Sequence, residues 1–141
     1  AGRITSWTET GDGRYLISLT GLVRFRVKEE LHVTTPYRQV APDWTPFAED
    51  LHEVPPAGRP DKLRLLKALR DYTEANDMNA DWQAADEAPV ETLVSALCAG
   101  CPFSVMEKQA LLEAPTLKER TETLITLLEM DVSGHDGGTL Q

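Results

Sequence analysis

The sequence predicts a segregated α+β protein, strands first and helices second. Three observations point there: residue-by-residue alternation of apolar and polar side chains through the first forty positions, a proline-dense break over 41–60, and helical periodicity with two capping signatures beyond Asp61. Strands followed by helices, rather than strands alternating with helices, exclude a parallel sheet of βαβ units.

Arg3-Ile4-Thr5-Ser6-Trp7 is rich in strand formers from the first residues, so the strand is expected to have sheet partners upstream. Thr10-Gly11-Asp12-Gly13 follows, and an Asp-Gly pair favours the positive φ of a tight hairpin. From Arg14 to Thr20 the pattern alternates. Tyr15, Ile17 and Leu19 share one face, with Arg14, Ser18 and Thr20 opposite. Gly21 interrupts and is read as a bulge or tight turn. Val23, Phe25 and Val27 then suggest a further strand, with Arg24 and Arg26 on its other face; Val33 and Tyr37 to Val40 are weaker strand signals.

Pro42, Pro46, Pro55, Pro56, Gly58 and Pro60 make 41–60 a connection between two parts, 1–50 and 51–141. Trp44, Phe47 and Leu51 are more apolar than a free linker needs, so this segment is expected to lie against a surface. Leu63, Leu66, Leu69 and Tyr72, widened by Leu65, form a helical stripe. A short helix is expected over Asp81 to Ala85, and Pro89 suits the first turn of a helix running to Cys98. Asp86-Glu87 reads as favourable charge at that helix start. Ser104-Val105-Met106-Glu107 and Thr116-Leu117-Lys118-Glu119 both match the capping box, in which the hydroxyl accepts from the N3 amide and the glutamate reaches back to the cap amide. Leu117, Leu124, Ile125 and Leu128 mark a last helix. Ser133-Gly134-His135-Asp136-Gly137-Gly138 is expected to fray.

The net charge of −9 is uneven: residues 1–50 hold six Lys/Arg against seven Asp/Glu, and 51–141 hold eight against sixteen. An acidic surface repels phosphate backbones, so nucleic acid is not an expected partner. No apolar run reaches the roughly 20 residues of a membrane helix, so no membrane partner is expected either. Two cysteines fit a cytoplasmic protein.

The residues in hand resemble a known family. Gly2-Arg3-Ile4, Asp12-Gly13-Arg14-Tyr15, Leu19 to Val27 and Pro36-Tyr37-Arg38 are similar to the second half of the Lon protease N-terminal (substrate-binding) β-domain. Pro102-Phe103-Ser104, Glu107 to Glu113 and Leu117 to Leu124 are similar to its helical part. The order and spacing of the set, over residues 2–130, carry the resemblance. It implies a partial PUA-like β pseudo-barrel, its N-terminal half missing, followed by a small α-helical bundle. It also implies a stand-alone module related to the S16 peptidases that binds unfolded or extended polypeptide segments, alone or beside a protease, or by self-association.

The engines of a Lon protease have no counterpart in the sequence. There is no G-x-x-x-x-G-K-[ST] loop to cradle phosphates, and no Gly-Lys pair at all. Nothing resembles the serine–lysine peptidase motif, so no catalytic residue is expected. Cys98-Ala99-Gly100-Cys101 has redox spacing, but it falls at the end of a helical run, where the dipole disfavours thiolate. His32, His52 and His135 lack metal-ligand spacing, so packing is the expected role of the cysteines, with no metal and no cofactor. The candidate polypeptide-binding residues are Trp7, Trp44 and Phe47, aromatics able to line an apolar groove, with Arg24 beside them. The alternatives are a small-molecule-binding protein and an assembly or docking module on the same scaffold.

Overall fold

The computed structural model describes residues 1–52 and 60–136. Pro55, Pro56 and Gly58 of the proline-dense stretch, and Gly137 and Gly138 of the tail, lie outside the described residues. The architecture is mixed α+β and divides into two compact units, Ala1–Glu53 and Val54–Gln141.

The first unit holds four strands in two antiparallel ladders. β1 (Gly2–Glu9) pairs with β2 (Tyr15–Gly21), and β3 (Arg26–Glu30) pairs with β4 (Val40–Asp43). The β1–β2 turn forms as the Asp-Gly pair requires. Gly13 sits at φ 79, its N–H donates to Thr10 O at 3.0 Å, and Thr10 N–H donates to Arg14 O at 2.8 Å. The Asp12 carboxylate accepts from the Thr10 hydroxyl and the Arg14 amide, which hold its pKa below the usual carboxylate value.

Three strand expectations need correction. Gly21 is no bulge; it pairs with Gly2, and the irregularity lies on β1 between Ile4 and Ser6. The third strand begins at Arg26 rather than Val23, because Val23, Arg24 and Phe25 turn inward to a different set of partners. Tyr37 is exposed ahead of the fourth strand, which starts at Val40. A 3-10 turn over Thr45–Leu51 follows, with Pro46 in its first turn. Within it Phe47 is buried, whereas Leu51 is exposed.

The described residues of the second unit form five helices. Asp61 caps α1 (Lys62–Ala75) by accepting from Leu63 N at 3.0 Å and Arg64 N at 3.1 Å. Leu65, Leu66, Leu69 and Tyr72 are buried, but Leu63 points to solvent at 78% exposed, so the stripe is rotated from the expected one. α2 is Trp82–Glu87 and α3 is Val90–Gly100. Asp86 and Glu87 therefore end α2 instead of starting α3. There the dipole disfavours acids, and the Lys62 ammonium offsets it by donating to Asp86 O and to Ala88 O at 2.6 Å.

α4 (Val105–Glu113) opens on the complete Ser104–Glu107 capping box. α5 (Leu117–Asp136) opens on its counterpart: Glu119 N donates to Thr116 Oγ1 at 3.1 Å, and Thr116 N donates to Glu119 Oε2 at 3.1 Å. The core is built from Leu65, Leu66 and Tyr72 of α1, Val94 of α3, Leu111 of α4, and Leu124, Ile125 and Leu128 of α5. Thr121 is buried among them and donates its hydroxyl to Leu117 O at 2.8 Å, which satisfies that buried group. The helix does not stop at Ser133 as expected: α5 continues to Asp136, and Ser133 Oγ donates to Glu129 O at 2.9 Å.

Candidate functional site

A hairpin with perfect alternation would put Ile4 and Trp7 on opposite faces, because they are three residues apart. The extra residue on β1 reverses the phase between them. Ile4 therefore stands opposite Leu19 and Trp7 opposite Ile17, both on the face that also carries Tyr15. The result is an apolar face of Ile4, Trp7, Tyr15, Ile17 and Leu19, with Glu9, opposite Tyr15, as its charged member at the hairpin end. The opposite face carries Arg3, Ser6, Thr8, Ser18 and Thr20, with Leu16 as its apolar member.

Every residue of β1 and β2 is exposed, Trp7 at 66% and Ile17 at 53%. Trp7 and Tyr15 meet edge to face, with ring centroids 5.8 Å apart and planes at 63°. That contact fixes the two rings relative to each other while leaving their outer surfaces open. Five large apolar side chains grouped on one exposed face make it a candidate interaction surface.

The other three candidate residues cluster elsewhere in the same unit. The Arg24 backbone N–H and Nε both donate to Asp50 Oδ2, at 3.0 and 2.8 Å, and its outer nitrogen donates to Oδ1 at 2.6 Å. The guanidinium also lies 4.4 Å from the centroid of Phe47. With the Arg24 side chain 12% exposed and Phe47 6% exposed, both are turned inward. Their arrangement ties the 3-10 turn to the segment before β3 through a two-pronged ion pair. Trp44 packs on Phe25 at 5.3 Å between centroids yet remains 43% exposed. Ile4 was not legible as a neighbour of Trp7, because a bulge leaves no clear mark in an alternating sequence; Thr5-Ser6, two small polar residues in a row, is the only trace.

In the helical unit the C-x-x-C pair ends α3, with Cys101 buried and Cys98 half-buried. Burial pushes both thiols above the usual cysteine value, which suits packing rather than nucleophilic or redox work. No group of three or more metal-ligating side chains occurs among the described residues. A shallow hollow of about 320 Å³ opens between Arg70 and Glu74 of α1 and the stretch bearing Met78 and Trp82. Asp77, in the left-handed region at φ 51, makes the reversal that forms it, and the Arg70 guanidinium covers the Trp82 ring at 5.1 Å. No described helix is long and apolar enough to cross a membrane.

The ATP-dependent protease La (LON) substrate-binding domain matches this chain over residues 1–130. The chain belongs to that family. The match spans residues of both units. No curated protein matches the chain. Membership in a substrate-binding family directs attention to surfaces able to hold polypeptide, and the β1–β2 face gathers five exposed apolar side chains on one ladder.

Proposed function

We propose that this chain holds unfolded or extended polypeptide segments and carries out no bond chemistry of its own. The observation that supports the reading is the uncovered face of Ile4, Trp7, Tyr15, Ile17 and Leu19 in a member of the Lon substrate-binding family. An apolar side chain of a client laid on that face would exchange water contacts for contacts with indole, phenol and aliphatic surface. The gain is about 25 cal/mol per Å² of apolar area removed from water, less the cost of ordering the client.

In this reading Trp7 is the principal contact and Trp44 a second, partly open one. Arg24 and Phe47 hold the segment that carries Trp44. The β unit is then a portion of a PUA-like pseudo-barrel, and the protein works in the cytoplasm, either alone or beside a protease. Neither nucleic acid nor membrane is a partner in this reading.

Tryptophan emission tests it. An unstructured, aromatic-rich peptide added to the full chain should shift the emission to the blue and saturate in the micromolar range. Trp7→Ser should abolish most of the shift, and mass spectrometry should find the peptide intact after incubation with and without ATP. Unchanged emission through high micromolar peptide, or a cleaved peptide, overturns the reading.

A further inference from the structure

We infer that the client is held as an added β-strand along the outer edge of β2, with its alternate side chains on the Trp7 face. The inference rests on the polypeptide-binding reading and specifies its geometry. Two hydrogen bonds fix the phase of the β1–β2 ladder from its two ends: Thr10 N to Arg14 O at 2.8 Å and Leu22 N to Ala1 O at 2.9 Å. In an antiparallel pair, bonded and non-bonded positions alternate. Counting from either end, Leu16, Ser18 and Thr20 direct their backbone groups to β1. The N–H and C=O groups of Tyr15, Ile17 and Leu19 therefore point away from it. The same three residues supply the β2 half of the apolar face. Unspent backbone groups and uncovered apolar side chains thus belong to one row, and an extended chain is the ligand that satisfies both.

The four strand edges of this unit are not equivalent. β1 is guarded by its extra residue between Ile4 and Ser6 and by Arg3 and Glu9 near its ends. β3 carries Arg26, Lys28, Glu29 and Glu30 and is irregular between Val27 and Glu29, and β4 contains Pro42. Charges, prolines and bulges are the usual defences of an edge. β2, Tyr-Leu-Ile-Ser-Leu-Thr-Gly, has none of the three. Its lack of charge also sets the occupant's chemistry. Beside Ile17 and Leu19 a charged side chain would lose hydration with no opposite charge on β2 to meet it; Glu9, opposite Tyr15, stands across the ladder on β1. The matching segment is uncharged across about five residues, has large apolar side chains at every second position, and lies about 4.8 Å from β2.

The test uses the full chain and a pair of peptides. One is an uncharged, alternating Val/Thr peptide with lysines only at its ends. The other has the same side chains, with backbone N-methyl groups on the alternate residues that would donate to β2. The parent peptide should bind, and N-methylation should weaken it by about tenfold or more, since two or more bonds are lost at roughly 1 kcal/mol each. Ile17→Pro, which removes an outward N–H without touching the β1 ladder, should weaken the parent to a similar degree. Equal binding of the two peptides overturns strand addition while leaving client binding intact. Failure of both peptides, together with failure of the aromatic-rich peptide, overturns both. If sedimentation shows that the chain pairs with itself without peptide and Ile17→Pro abolishes the pairing, the occupant is a second copy and the inference is wrong.

Discussion

The helical unit and the β unit bury their apolar residues to very different extents. In the helical unit Leu65, Val94, Leu124 and Leu128 are 0% exposed, and each of the five described helices contributes to one cluster that excludes water, α2 through Ala85. In the β unit, among the described residues, Phe47 is the one buried apolar side chain, while Ile4, Trp7, Tyr15, Leu16, Ile17 and Leu19 all stand in solvent. A two-stranded ladder with both faces wet has marginal stability in water. The two units differ in what holds them: one is closed around a dry core, and the other leaves most of its apolar side chains in water.

Substitutions can break or sharpen this contrast. Leu124→Ala should destabilise the helical unit by about 3 kcal/mol or more, because the methyl groups leave a cavity among α1 and α5 side chains. Thermal unfolding followed by far-ultraviolet circular dichroism reads this directly. The matched change on the sheet, Ile17→Ala, should move the same transition by less than about 0.5 kcal/mol, since the residue is already exposed. A large loss there would mean that the sheet face is covered within the chain itself.

The strongest internal tie of the β unit is Arg24–Asp50. Asp50→Ala leaves a half-buried guanidinium without its carboxylate and should cost that unit about 2 kcal/mol. Trp44 emission should report it by moving toward the red as the 3-10 turn loosens. In the helical unit, Ser104→Ala removes one arm of a capping box and should cost about 1 kcal/mol.

The smallest effect concerns pH. The Ser104 side-chain and backbone hydrogen bonds hold Glu107 below its ordinary value near 4.5. A carboxylate whose folded pKa is depressed contributes stability that is fully present above its unfolded pKa. That contribution disappears as pH falls through the lower folded value. Glu107→Gln should therefore flatten the acid limb of the stability–pH profile below about pH 4.5 and leave neutral pH nearly unchanged. A profile unaltered by the substitution would show that the box carries no linked proton.

Much of the architecture was legible because its signals are local. Ser104 and Glu107 are three residues apart, and Thr116 and Glu119 likewise, so both helix starts could be read without any tertiary knowledge. Asp12-Gly13 marked its own turn for the same reason. Features that depend on distant partners were not legible. Leu63 matched the α1 stripe by spacing, but packing in the cluster with the α5 side chains placed Leu65 and Leu66 inward and left Leu63 in solvent. Asp86 and Glu87 looked like a helix start until Lys62, 24 residues earlier from Asp86, proved to satisfy the end of α2. Ser133 and Gly134 look like breakers, yet extending a nucleated helix by one residue is inexpensive. At the candidate site, Trp7 was recognisable as an aromatic, whereas its grouping with Ile4 depends on one extra residue in β1 that composition does not reveal.

Amide hydrogen exchange on the full chain, with and without an uncharged alternating peptide, tests the division between the units most directly. β1 and β2 should exchange fast alone and slow markedly when the peptide is present, while α1 and α5 stay protected in both. Protection of β1 and β2 equal to that of α5 before any peptide is added, or no change on adding it, would contradict the account.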